Sequence, residues 1–275
     1  MKLSIVLSTH PAQFQAVAFK GDFEANVAKI AGWGYDGIEL AIRDPRLVDA
    51  DALLSVVSAH GLEVPAIGTG QAWGEERLSF TSDDPAVRVA AIERIKSHVL
   101  LATRFNAIII LGLIRGITPE GQTHEQSMAY LIEALQECVA AAAKACPERE
   151  RRKGVRFALE PLNRYETDLI HTVAEGLDLI ERVGADNLGL LLDTFHMNIE
   201  EPVIEDSIRA AGDRIFHFHV ADSNRWHPGA GHLDFKSILD TLFATGYQGY
   251  VSGEFMPLPD ADTSAERSIA YLRQL

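Results

Sequence analysis

A closed (β/α)8 barrel is the fold this sequence predicts, and three observations carry the prediction. Apolar, β-branched runs alternate with helical periodicity eight times, as successive βαβ units of a parallel sheet do. Eight units in 275 residues give one per about 34 residues, which is a barrel repeat; nothing is left over, so 1–275 is expected to be a single domain. The alternative, a doubly wound open sheet, normally carries a GxGxxG loop after its first strand. Neither SIVLSTHPAQF nor GTGQAW has one.

In chain order, strands are expected near 3–9, 37–42, 64–68, 107–113, 155–162, 188–194, 215–221 and 250–255. Between them apolar residues recur at helical spacing: Phe23, Val27 and Ile30, then Ile92, Ile95 and Val99, then Leu131, Leu135, Cys138 and Val139. Thr123 with Gln126, Thr172 with Glu175, and Thr263 with Glu266 have capping-box spacing. Asp84-Pro85 and Asp234 read as helix starts, and Gly61, Gly184 and Gly246 as helix ends. Gly229 and Gly231 would let the loop before Asp234 turn. The charged run between Cys146 and Gly154 reads as a solvated connection.

Composition excludes several classes. With 25 Lys+Arg against 39 Asp+Glu the net charge is −14, which argues against a broad phosphate-binding face and so against nucleic acid as a partner. Cys138 and Cys146 alone form neither a disulfide framework nor a thiolate metal site. The start MKLSIVLSTHP is too short for a signal core or a membrane span, so a cytoplasmic protein is expected.

A barrel of this kind presents its reactive groups at the C-terminal ends of its strands. Four polar residues close consecutive apolar strands there: Glu160 in RFALE, Asp193 in LGLLLD, His219 in IFHFHV and Glu254 in YVSGE. Any one acid alone reads equally well as a helix cap or an arginine partner. Four on consecutive units can converge, and three crowded carboxylates need a cation to stay ionised. Three oxygens and one imidazole favour Mn²⁺, with Mg²⁺, Co²⁺ or Zn²⁺ as alternatives, and no organic cofactor is called for. His217, one step down the same face, reads as a barrel-layer or supporting histidine rather than a ligand. Glu166, His196 and Arg225 lie a few residues beyond these ends, in loops where substrate contacts belong.

EPLNRYETDLIHT, LLLDTFHMNIEE, FHFHVADSNRWHPGAGHLDF and SGEF resemble the metal-dependent ketose 3-epimerases of the tagatose and allulose type, within the xylose-isomerase-like barrels. MKLSIVLST, AFKGD, AIRDP, AIGTGQAW, LGLIRG and HVADSNRW extend the resemblance to ketohexuronate epimerases of the 5-keto-L-gluconate type. The resemblance implies metal ligation by Glu160, Asp193, His219 and Glu254, an acid/base pair of Glu160 and Glu254, and substrate contacts from Glu166, His196 and Arg225. It also implies a homodimer or homotetramer. Arg115, closing LGLIRG, falls outside the general ketose pattern and points to an acidic sugar, unless it pairs with Glu120 or Glu125. Arg43 is read as a second cation at the mouth or a partner of Asp44 or Asp36; Gln71 and His10 as further hydrogen-bonding groups. The same barrel also serves aldose–ketose isomerases, inosose dehydratases and abasic-site endonucleases, and a non-catalytic sugar sensor is a further reading. The endonuclease needs a histidine-rich trinuclear cluster, for which His60, His98 and His124 are poorly placed.

Overall fold

The computed structural model describes residues 1–11, 13–145 and 154–275. Eight parallel strands close into a barrel in sequence order: β1 (Lys2–Ser8), β2 (Gly37–Ala41), β3 (Ala66–Gly68), β4 (Ile108–Leu111), β5 (Phe157–Leu159), β6 (Leu188–Asp193), β7 (Ile215–Val220) and β8 (Tyr250–Gly253). Each falls within or beside its expected span. Outside the strands lie α1 (Phe23–Gly32), α2 (Ala50–Ala59), α3 (Gln71–Glu76), α4 (Pro85–Phe105), α5 (His124–Ala145), α6 (Val173–Val183), α7 (Thr194–Glu200), α8 (Ile204–Ala211), α9 (Phe235–Ala244) and α10 (Ala261–Leu272). Cys146 and the charged run after it lie outside the described residues, whereas Cys138 is buried in α5, where desolvation pushes its thiol up to about 12.

The two-residue period of a strand sorts every side chain. One parity faces the helices and forms the main core: Leu3, Ile5 and Leu7 on β1, Ile38 and Leu40 on β2, Leu188, Leu190 and Leu192 on β6. The other parity faces the barrel axis, where Ala66, Ile108, Ile110, Ala158 and Leu191 plug the lower interior with Phe216. Gly189 makes room for that ring, since a Cβ there would stand 2.5 Å from it. The same parity carries Glu160 two residues above Ala158, Asp193 two above Leu191, and His219 two above His217. A register shift between Leu190 and Leu191 makes Phe216 an extra residue and sets Asp193 opposite His219.

Helix starts follow side-chain chemistry. Thr172 and Glu175 form the reciprocal box, Thr123 and Gln126 do likewise, and Asp84 and Asp234 cap α4 and α9. Thr263 does not cap: Asp260 starts α10 three residues earlier and accepts from the Thr263 amide, so the Thr263/Glu266 spacing lies inside the helix. Gly229 turns the loop with φ +88°, but Gly231 serves differently, because a Cβ there would stand 2.2 Å from the Asp222 carboxylate. No helix among the described residues is long and apolar enough to cross a membrane.

Candidate metal and substrate site

Strand geometry converges four side chains at the barrel mouth. Nδ1 of His219 lies 3.9 Å from Glu160 Oε1, 3.8 Å from Asp193 Oδ2 and 3.8 Å from Glu254 Oε2. These distances are too long for hydrogen bonds, and Glu160 Oε1, Asp193 Oδ2 and His219 Nδ1 are buried with no hydrogen-bond partner. Oxygen and nitrogen ligands about 2.0–2.2 Å from a shared ion stand about 3–4 Å apart, so the four residues fit a divalent metal.

The electrostatics say the same. Burial and the Glu254 charge raise the Glu160 carboxyl well above the ordinary range. Burial lifts Glu254 to about 7 against the pull of His219 and Arg225. Asp193 is held at about 2: burial opposes its charge, but the His219 ring and the Arg225 charge outweigh it. Asp193 also caps α7 by accepting from the Phe195 amide at 2.7 Å. Without a cation, then, the crowded acids share protons, as expected of like charges in a dry site.

Around this centre lies a cavity of about 330 Å³, walled on the reactive side by Glu160, Glu166, His196, His219, Arg225 and Glu254. Arg225 spans two acids, Nη1 at 3.1 Å from Glu166 and Nη2 at 3.0 Å from Glu254, with its guanidinium 4.6 Å from the Phe195 ring and 5.3 Å from Phe14. Its backbone is left-handed, at φ +60°. Asp222 fixes the surrounding loop by accepting from the amides of Ser223, Gly229 and Leu233. His196 is 2% exposed, and burial lowers it to about 4, so the ring is neutral. Its Nδ1 accepts from the Asn163 backbone amide at 3.3 Å, which leaves the proton on Nε2, the nitrogen 3.8 Å from Glu160 Oε1.

The remaining expected residues divide. Gln71 lines the cavity, its amide donating to Ser8 Oγ at 2.7 Å. His10 does not line it and lies 2.9 Å from Thr9 Oγ1. Arg43 pairs with Glu76 at 3.3 Å, not with Asp44 or Asp36. Arg115 is the main correction: it stands neither at the mouth nor against Glu120 or Glu125. Its guanidinium is fully buried and donates to the carbonyls of Leu111, Gly112, Glu160, Leu169 and Ile170. Burial lowers it to about 10, still a cation near neutrality. A short turn after β4 folds it inward, beneath the loop that follows β5, where the chain's own carbonyls replace water. His98 is likewise structural, bonded to the carbonyls of Arg94 and Ile42.

Sequence reasoning missed Glu39, whose Oε2 lies 2.8 Å from His217 Nε2 and 2.9 Å from His219 Nε2. Burial would raise this carboxyl, but the His219 charge and both ring hydrogen bonds hold it well below its ordinary value. An acid in the middle of the apolar strand GIELA was the available signal. Phe14, Trp73 and Arg77 on the far wall were missed as well. Phe14 comes from the loop after β1, and Trp73 and Arg77 from the six-residue α3 and its end, too short for a period to be read.

Comparison with known proteins agrees with this architecture. A family model described as xylose isomerase-like TIM barrel matches residues 27–275. An L-ribulose 3-epimerase of Mesorhizobium japonicum is 33% identical over 98% of this chain and 87% of its own. A D-psicose 3-epimerase of Ruminiclostridium cellulolyticum is 33% identical over 85% of this chain and 78% of its own. The crystal structure of D-allulose 3-epimerase from Methylomonas sp. in complex with D-allulose superimposes with a TM-score of 0.81 at 27% identity, covering 99% and 97% of the two chains.

Proposed function

This chain belongs to the xylose isomerase-like TIM-barrel family, among its ketose 3-epimerases, and from that premise we propose a two-glutamate epimerase acting on an acidic ketose. The observation that carries the reading is the convergence of Glu160, Asp193, His219 and Glu254, with partnerless buried atoms, onto the floor of a sugar-sized cavity. Those four residues would hold one divalent ion, Mn²⁺ by the hardness of three oxygens and one imidazole. When bound, that ion supplies positive charge where the carbonyl and neighbouring hydroxyl oxygens become negative.

Epimerisation beside a ketone removes one C–H proton and returns one to the opposite face. In this reading the carboxylates of Glu160 and Glu254 are the two proton carriers, each such transfer contributing on the order of 10² to 10⁴ in rate. Arg225 Nη2 holds Glu254 in place, and the Nε2–H of neutral His196 is free to donate to a substrate oxygen. Glu166, held by Asn163 and Arg225, is left to bind a hydroxyl.

Buried Arg115 lends the acidic substrate no support, but Arg77 does. Arg77 lines the far wall, its guanidinium 5.7 Å from the Trp73 ring and without a carboxylate partner among the described residues. Arg225, the other cation in the wall, is committed to two glutamates. A sugar reaching from the glutamates to Arg77 would present its anion there.

The test is deuterium uptake from D₂O with Mn²⁺ across neutral hexuloses, ketohexuronates and ketose phosphates, with the labelled carbon located by NMR. Label at C3 of the acidic ketoses and a rise in KM for them alone in Arg77→Ala are expected. Label at C1 only would make the enzyme an aldose–ketose isomerase. Equal turnover of neutral ketoses, unaffected by Arg77→Ala, would refute the acidic substrate.

A further inference from the structure

The nitrogen that His219 turns toward the three carboxylates is decided one layer deeper in the barrel. Oε2 of Glu39 receives two histidine nitrogens at once, His217 Nε2 at 2.8 Å and His219 Nε2 at 2.9 Å, with the two rings 5.2 Å apart and nearly perpendicular. A carboxylate has no hydrogen to give, so both Nε2 atoms must be donors. A neutral His219 with its hydrogen on Nε2 has a bare lone pair on Nδ1, the atom 3.8–3.9 Å from the three acids. The opposite tautomer would aim an N–H at the metal position and forbid ligation. Residues 39, 217 and 219 are all at most 1% exposed, and the Glu39 carboxylate is the partner that both rings share.

We propose that Glu39 is the positioning residue of this metal site, fixing ring orientation and tautomer of His219, with His217 as the second donor that keeps the shared oxygen from rotating away. His217 is therefore not a ligand, and β2, which contributes nothing to the four-residue set, governs its affinity. The inference rests on the metal reading above. Hydrogen-bonded carboxylates behind ligating histidines typically contribute 10- to 100-fold in metal affinity.

The experiment is titration of the chelator-stripped full chain with Mn²⁺ and Co²⁺ by calorimetry, with the Co²⁺ absorption spectrum as a second readout. For Glu39→Gln we expect a Kd 10- to 100-fold weaker than wild type, with unchanged circular dichroism, because the new amide N–H₂ can push the ring proton onto Nδ1. Glu39→Asp should recover part of the loss, and His217→Gln should weaken binding less than Glu39→Gln does. Should Glu39→Gln not fold, the graded Glu39→Asp and His217→Gln affinities decide. Wild-type affinity in all folded variants would overturn the proposal. So would two metal equivalents in wild type with the second lost in Glu39→Gln, since Glu39, His217 and His219 would then be ligands themselves. If wild type binds neither metal, the metal reading fails instead, and the two failures stay separate.

Discussion

Replacing Arg115 separates a substrate anchor from a clamp on the backbone. The guanidinium donates to five carbonyls, of which those of Leu111, Gly112 and Ile170 also accept a backbone N–H. Arg115→Met therefore strips the Leu169 and Glu160 carbonyls of this donor in a site closed to water. Each bare carbonyl costs about 1–3 kcal/mol, and relief from burying a charge offsets part of that, for a net loss of about 2–5 kcal/mol. Ile170 adds to the burden, being a β-branched residue at φ +58° that persists only because its surroundings hold it. At about 2–4 °C per kcal/mol for a chain of this size, Tm should fall by about 5–15 °C. Arg115→Lys should fall nearly as far, because three donors on a flexible stem cannot reach five carbonyls. Differential scanning calorimetry measures this, alongside kcat and KM on acidic and neutral ketoses. With Glu160 loosened, kcat should drop for both classes of substrate. A variant with wild-type Tm and a KM raised for acidic ketoses alone would refute the clamp and return Arg115 to the substrate site.

Divalent metal should stabilise the fold: at 100 times its Kd an ion binding only the native state adds about 2.7 kcal/mol, so Tm should rise by about 5–10 °C with Mn²⁺ and return on chelation. No shift with Mn²⁺, Mg²⁺, Co²⁺ or Zn²⁺ would remove the metal from the account. Gly116→Ala should lower the urea midpoint, since φ is +89° and a Cβ would stand 2.0 Å from Ser79 Oγ; an unchanged midpoint would show that the turn relaxes freely. Asp44 is held at about 2 chiefly by the Arg46 hydrogen bond, with Arg94 also 3.2 Å away. Its folded value is depressed, so its contribution is complete above pH about 4 and is lost as pH falls toward 2. Asp44→Asn should therefore be about 1–2 kcal/mol less stable at pH 7, discounted for the exposure of Arg46, and nearly equal to wild type at pH 2. A constant gap across that window would assign the loss to packing.

The barrel and its four convergent side chains were legible because both follow from period two. Strands buried on both faces read as apolar runs, and a lone polar residue at a strand end shows against that background, as Glu160, Asp193 and Glu254 do. Glu39 breaks the same pattern in GIELA, but its partners are His217 and His219 on β7, about 180 positions away, and no local spacing joins them. Arg115 misled because an arginine closing a strand looks alike whether it turns outward to solvent or inward to carbonyls. The Gly112 to Gly116 turn decides that, through φ and ψ values the sequence does not display. The early start of α10 was hidden by competition between two good caps, Asp260 and Thr263, which only the path of the preceding chain resolves.

The two walls of the cavity are held with different firmness, and this bears on what each can do. On the reactive side, Arg115 clamps the backbone at Glu160, Asn163 sets the His196 ring, and Asp222 ties down the loop that aims Arg225. Each support is a buried polar group whose loss leaves an unsatisfied partner, so the side chains proposed to move protons are held in place by the fold itself. On the far side, the loop after β1 meets α3 through Gln13 and Glu75 at 3.2–3.3 Å in an exposed contact, and the Arg77 guanidinium only stacks on Trp73. Exposed contacts of this kind contribute little and are replaced cheaply. On the proposed mechanism, the proton carriers thus stand among buried hydrogen bonds, while Arg77, proposed to meet the substrate's anion, stands among exposed contacts.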